Sequence, residues 1–183
     1  MTKLSVITPT VGRLSLADTL SSVAAQLAPG DEHIVIGDGP QPRAYLACKG
    51  FGVRYITGPA TGAWGNAQRD YASARATGDY LLFCDDDDVL FPGALDAVRN
   101  AARGYPLMFK MRSHEGYERW IVRGKLEPCH VGGAMFVPPN DGAKLGKWAE
   151  GDGKLSDYAF IMSTMAHYDA LDWREEYIIK CRS

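Results

Sequence analysis

Several familiar protein classes are excluded by what this sequence lacks. Its four cysteines, Cys48, Cys84, Cys129 and Cys181, are far apart, with no Cys-x-x-Cys pair and no closely spaced Cys/His cluster. A disulfide framework and a zinc module of ordinary spacing are therefore not expected, and the thiols read as reduced core or surface groups. No apolar run approaches the length of a membrane span. The apolar stretch near the N-terminus, Leu4 to Ile7, is too short for a signal peptide, so a reducing, cytoplasmic setting is expected. Basic residues are not in excess either: 20 Lys and Arg face 22 Asp and Glu, for a net charge of -2. General nucleic-acid binding normally needs a basic face, so it is set aside. There is no internal repeat, low-complexity tract or interdomain linker.

What is present is an ordinary globular composition, 46% hydrophobic and 23% charged over 183 residues. That length suits one domain, spanning 1–183, that buries a core without staples. Leu4 to Thr8 predicts a strand ended by Pro9, whose ring removes a ladder donor. Leu16, Leu20, Val23, Ala24 and Leu27 recur at helical spacing until Pro29-Gly30. His33 to Ile36 predicts a second strand, breaking into Gly37-Asp38-Gly39-Pro40. A weaker helix over Arg43 to Lys49 and a β-branched, aromatic strand over Val53 to Thr57 follow. After a loop rich in Gly, Asn66 fits an N-cap for a helix over Ala67 to Ala76. Tyr80 to Cys84 predicts a buried strand, and Pro92 to Ala102 a proline-started helix. This alternation is the pattern of a parallel α/β sheet flanked by helices.

Beyond Gly104 the pattern changes. Leu107 to Arg112, Trp120 to Arg123 and Ala134 to Val137 predict strands that would make the sheet mixed, though mostly parallel. Asp141 to Lys154 predicts a loop, Leu155 to Tyr168 a helix, and Tyr177 to Lys180 a last strand.

The strand Tyr80 to Cys84 runs directly into Asp85-Asp86-Asp87-Asp88. Like charges at the edge of a core raise one another's pKa and destabilise the fold unless water or a cation offsets them. One or two of the four could serve only as turn acceptors or helix-dipole partners, Asp88 foremost. Four exceed what turn chemistry needs, so the tract reads as a divalent-metal site. In parallel sheets, ligands collect beyond the C-terminal strand ends, which here carry Thr8-Pro9, Asp38 and the acidic tract. Asp38 could equally be a plain Asp-Gly turn. His130 precedes Gly132-Gly133, where the backbone can approach a ligand closely, although a surface or packing role also fits it. Asp157, near the start of the last helix, suits an ionised general base, or simply a first-turn dipole partner. Of four tryptophans, Trp148 is singled out as an acceptor-side contact because it precedes Asp157 in a Gly-rich segment.

Taken in order, Ser5-Val6-Ile7-Thr8-Pro9-Thr10, Gly37-Asp38-Gly39, Gly65-Asn66-Ala67-Gln68-Arg69-Asp70-Tyr71-Ala72, Gly78 to Asp88 with Pro92, Gly132 to Val137 and Ser156-Asp157-Tyr158 span most of the chain. Their ordered spacing resembles that of a small GT-A (Rossmann-like) glycosyltransferase of the inverting family 2 type. The resemblance implies a nucleotide-binding part over about 1–104 and an acceptor and catalytic part over about 105–183. It implies that Thr8, Pro9 and Asp38 hold the nucleoside of a nucleotide-diphospho-sugar, with a UDP-sugar the expected donor. Arg69 then lies near the nucleotide or diphosphate, Asp85 binds ribose, and Asp87 coordinates Mn²⁺ or Mg²⁺ with the diphosphate oxygens. Asn66, Asp86 and His130 join these as substrate contacts, and Asp157 matches the base. The acceptor, whether saccharide, lipid or protein, is not indicated.

The sequence departs from that pattern in having Ser156-Asp157 for the usual acidic pair and Arg69-Asp70 for the usual Arg-Asn. The Gln-x-x-Arg-Trp motif of processive synthases is missing, which argues against polymer extrusion. His167 is at most a late metal ligand. Two other readings stand beside the transferase. A nucleotidyltransferase also uses carboxylate-bound Mg²⁺, but it expects a Gly-rich basic loop after the first strand, of which Pro9-Thr10-Val11-Gly12-Arg13 is a poor version. A non-catalytic nucleotide- or sugar-binding member of the fold expects Asp157 far from the metal cleft.

Overall fold

The computed structural model describes residues 1–116, 118–119, 123–148 and 155–182. Its first part alternates β1 (Leu4–Thr10), α1 (Leu16–Ala24), β2 (Glu32–Gly37), α2 (Pro42–Phe51), β3 (Arg54–Thr57), α3 (Asn66–Ser73) and β4 (Tyr80–Phe83). These strands form one sheet in the order β3-β2-β1-β4, every pair parallel. The helix α1 buries Leu16, Thr19, Leu20 and Val23, the spacing that puts one face on a core.

The second part holds β5 (Val89–Leu90), α4 (Ala94–Ala101), β6 (Leu107–Ser113), β7 (Glu118–Arg119), a 3₁₀ turn (Gly133–Met135), β8 (Phe136–Val137), α5 (Ser156–Met165) and β9 (Asp172–Cys181). It makes a mixed sheet in the order β5-β9-β6-β7, with β8 also on β6. Only β6 and β9 run parallel there. The two sheets meet where Tyr80 bridges Pro139 and the Leu81 N–H donates to the Pro138 carbonyl at 3.0 Å. The larger of two apolar clusters runs beneath both, with Phe83, Phe136, Trp148 and Phe160 among its largest side chains, and a smaller one joins Leu16, Leu20, Val35, Ala44 and Cys48.

The helix-flanked α/β architecture with a parallel sheet is as the sequence predicts, but the later strands, expected to extend that sheet, form a second, mostly antiparallel one, and several element ends differ. The strand β1 does not stop at Thr8 but runs through Pro9 to Thr10. The Ile7 carbonyl accepts from Cys84 N at 3.0 Å, and strand alternation turns Pro9 to that same side, where β4 has already ended. No ladder donor is therefore missed. Helix α3 is capped by Gly65 rather than Asn66, and α4 by Gly93 rather than started by Pro92. Ala134 belongs to the 3₁₀ turn, leaving only Phe136–Val137 as strand. Of the segment predicted as a strand at Trp120 to Arg123, residues 120–122 lie outside the described residues, as do 149–154 of the predicted loop. The two-residue β5 carries no period to read, and it pairs into the second sheet although it precedes residue 104.

Candidate active site

Strand order fixes where a ligand can sit. From β1 the chain moves outward through β2 to β3, then returns to pair β4 on the other side of β1. A crevice opens where the order reverses, between the C-terminal ends of β1 and β4. Those ends are Thr10 and the tract Asp85 to Asp88.

The four carboxylates occupy four different environments. Asp86 is buried and turned back toward β1, accepting from Thr10 Oγ1 at 2.6 Å, Arg13 Nη1 at 2.7 Å and Val11 N at 3.3 Å. Asp88 closes the turn, its N–H donating to the Asp85 carbonyl at 3.0 Å and its Oδ1 accepting from Arg182 N at 3.2 Å. Asp85 and Asp87 face the crevice. Asp85 pairs with Nη2 of the buried Arg69, and Asp87 accepts from Arg13 Nη1 at 3.0 Å. Burial pushes the Asp87 carboxyl up; Arg13 opposes this, and the neighbouring Asp85 and Asp86 add to it.

Two cavities adjoin at this edge and share Trp64, Arg69, Asp85 and Asp87. One, of about 450 Å³, runs over Pro9, Thr10, Arg13, Asp38 and Gln68. The other, of about 320 Å³, reaches Asp157, Gly132, Gly133 and Tyr158. Both are in the size range of small-ligand sites. Asp157 stands on the first turn of α5, and its Oδ2 accepts from Gly133 N at 3.0 Å. Burial raises its pKa, Arg69 and the Gly133 N–H hold the rise in check, and Asp85 adds to it. The arrangement can therefore offer a partly dehydrated carboxylate base facing a second pair of carboxylates across one cavity.

Arg69 is placed by α3, which approaches β1 closely because its cap is glycine. Gly65 has φ 79, and a Cβ there would lie 2.9 Å from Pro9 Cβ. The Arg69 guanidinium also donates to the Trp64 carbonyl at 2.9 Å and lies 4.7 Å from the centre of the Trp148 ring.

Of the residues expected at the site, Pro9, Asp38, Asn66, Arg69, Asp85, Asp86, Asp87, Trp148 and Asp157 line one cavity or the other. Their environments correct several expectations. Thr8 is fully buried, its Oγ1 2.9 Å from His33 Nε2, and lines neither cavity; because β1 continues two residues further, Thr10 takes the position at the crevice. Trp148 is buried rather than open to an acceptor, stacked on Phe160 at 4.4 Å and edge-on to Phe83 at 4.8 Å, so it forms the cavity floor. His130 faces neither cavity, although Cys129 and Val131 beside it do. The Asp38 carboxylate accepts from Thr61 N at 2.6 Å, Gly62 N at 2.8 Å and Gln68 Nε2 at 2.8 Å, so it organises the loop that follows β3. His167 is exposed and away from both.

Sequence reasoning missed Arg13, Gln68 and Trp64 as wall residues, and Asp70 as the anchor whose Oδ1 accepts from Trp148 N at 3.0 Å. For Arg13 no local signal exists, since its partner Asp86 is 73 residues away. For Asp70 the departure from the usual Arg-Asn was the available sign.

The fold is of the GT-A type, and the chain belongs to glycosyl transferase family 2, whose model matches residues 5–134. No curated protein matches in sequence. Among solved structures, S. aureus TarS superposes with a TM-score of 0.80 at 16% identity, covering 99% of this chain and 37% of TarS. TarS 1–349 in complex with UDP-GlcNAc gives 0.74 at 17% identity, with 99% and 58% covered. Glucosyl-3-phosphoglycerate synthase from Mycobacterium tuberculosis, in complex with Mn²⁺, UDP and glucosyl-3-phosphoglycerate, gives 0.70 at 15%, with 100% and 72% covered. The chain thus spans little more than a third of the full TarS structure and under two thirds of its 1–349 form.

Proposed function

We propose that this protein transfers a sugar from a nucleoside-diphosphate sugar, a UDP-sugar, to an acceptor hydroxyl with inversion at the anomeric carbon. The observation that carries the reading is that Asp157 and Asp87 line one cavity, continuous with a cleft at the β1/β4 switch point. A displacement needs a base on one side of the sugar and charge stabilisation of the departing phosphate on the other. The neighbours that bind UDP, UDP-GlcNAc and Mn²⁺ support the same donor class.

In this reading the nucleoside lies in the larger cleft along Pro9, Thr10 and Asp38, with Arg69 and Asp85 at its inner end. Among the described residues no three His, Cys, Asp or Glu side chains converge as a ready-made cation cage. A hard divalent ion held by one or two carboxylates and completed by substrate phosphates and water needs no such cage, and Asp87 fits that role. When bound, Mn²⁺ or Mg²⁺ supplies Lewis-acid stabilisation of the leaving diphosphate. The chain's own residues do the rest. Asp157 takes the proton from the attacking hydroxyl at its free carboxylate oxygen while Gly133 N–H holds the other. The four free thiols and the lack, among described residues, of a helix long and apolar enough to cross a membrane suit a cytoplasmic reaction.

The test is calorimetry with nucleoside diphosphates with and without Mn²⁺, followed by transfer assays. Wild type is expected to bind UDP in a metal-dependent way, Asp87→Ala to lose that dependence, and Asp157→Ala to keep donor binding while transfer falls by about 10²-fold or more. Transfer retained in Asp157→Ala would remove it as the base. Absence of metal-dependent nucleotide binding would remove the whole reading.

A further inference from the structure

Trp64 is the one exposed tryptophan among the described residues, with 79% of its surface open to solvent. Its backbone lies in the left-handed region at φ 54, which disfavours a bulky side chain. The turn is nevertheless clamped at both ends. Arg69 Nη1 donates to the Trp64 carbonyl at 2.9 Å, and Asp38 accepts from Thr61 N and Gly62 N just before it. The chain thus holds an indole in water, on an unfavourable backbone, between two cavities that both touch it. Such strain persists only where the surroundings enforce it, and it gathers at ligand sites.

The smaller cavity adds a second observation, its charge. Asp85, Asp87, Asp88 and Asp157 line it, and Arg69, the one cationic side chain among its described lining residues, is already paired with Asp85. A donor diphosphate and the divalent ion it binds largely cancel each other, so the acidic balance persists with donor in place. An anionic acceptor entering here meets like charge, whereas a neutral polyol does not.

Resting on the transferase reading above, we infer that the acceptor is an uncharged carbohydrate whose pyranose ring stacks on the Trp64 indole, with a hydroxyl directed to Asp157. The flat apolar indole face suits the C–H face of a sugar ring, and the polar rim of the cavity suits its hydroxyls.

The experiment measures binding of neutral disaccharides (cellobiose, maltose, chitobiose) and of anionic probes (glucuronate, 3-phosphoglycerate) by saturation-transfer NMR. The protein is the full chain loaded with UDP and Mn²⁺, and wild type is compared with Trp64→Phe and Trp64→Gly. At least one neutral disaccharide is expected to bind, Trp64→Phe to stay within about threefold of wild type, and Trp64→Gly to bind about tenfold more weakly. Because glycine relieves the left-handed backbone, Trp64→Gly is expected to melt at or above the wild-type temperature. The inference is overturned by any of four results: equal disaccharide affinity in Trp64→Gly, weaker binding accompanied by a lower melting temperature, preference for the anionic probes, or no disaccharide bound while UDP binds. Failure to bind UDP would instead sink the donor reading, and the inference with it.

Discussion

At the scale of the residue, Asp157 is a buried carboxyl whose surroundings pull its ionisation in both directions. Burial is the largest influence on Asp157 and raises its pKa, while Arg69 and the Gly133 N–H act the other way. The sign for stability follows. A carboxyl whose folded pKa lies above its unfolded value favours the fold while protonated, and that contribution is lost as pH rises through the folded pKa. At pH 7 the ionised Asp157 is therefore a cost to the fold. Asp157→Asn keeps an acceptor for Gly133 N–H without the buried charge, so it is expected to melt higher than wild type at pH 7. The gain should shrink as pH falls into the carboxylate range, and thermal melts across pH 4 to 7.5 check it. Legibility at this scale was uneven. The acidic tract was readable because four adjacent carboxylates are chemically costly anywhere. Thr10 was not, because Pro9 marks a strand end only if its missing N–H faces a neighbour, and the early end of β4 removes that neighbour. Trp148 was preferred to Trp64 on its place in the sequence, yet Trp148 is buried and Trp64 exposed, since burial is decided by what packs from far along the chain.

At the scale of the element, the 3₁₀ turn at Gly133–Met135 sets the distance between α5 and the cavity floor. A Cβ built on Gly133 would overlap the Trp148 ring, which is itself packed between Arg69 and Phe160. The ring has nowhere to retreat, so Gly133→Ala is expected to cost about 1–3 kcal/mol, as overpacking does. Urea denaturation measures that loss. The same change shifts the N–H that holds Asp157, so transfer should fall further than stability alone explains. The helices and the longer parallel strands were legible because period 3.6 and short buried apolar runs are local signals. The turn, β5 and β8 were not, because two or three residues carry no period.

At the scale of the whole molecule, one buried imidazole stands in the first sheet. Burial pushes His33 down to about 3, and its Nδ1 has no partner while Nε2 meets Thr8. A depressed folded pKa contributes stability that is complete above the unfolded value near 6.5 and is lost as pH falls from there toward about 3. Global unfolding free energy should therefore decline below pH 6.5 by up to about 1.4 kcal/mol per pH unit from this group alone. His33→Gln is expected to flatten that limb, measured by denaturant titration at pH 5 and pH 7; an unchanged slope would acquit His33. Alternating strands and helices told the class of fold, whereas the placement of β4 beside β1, which creates the crevice, is not a local property and was implied only by the ordered motifs of the family resemblance.

The position of β9 has a consequence for synthesis. It follows both β5 and β6 in the sequence, yet it lies between them, and its Cys181 helps wall the smaller cavity. A chain emerging from the ribosome can complete the first sheet early, but it must hold open a slot in the second until residues 172–181 arrive. Truncation before Asp172 should therefore leave the second sheet split rather than merely shortened.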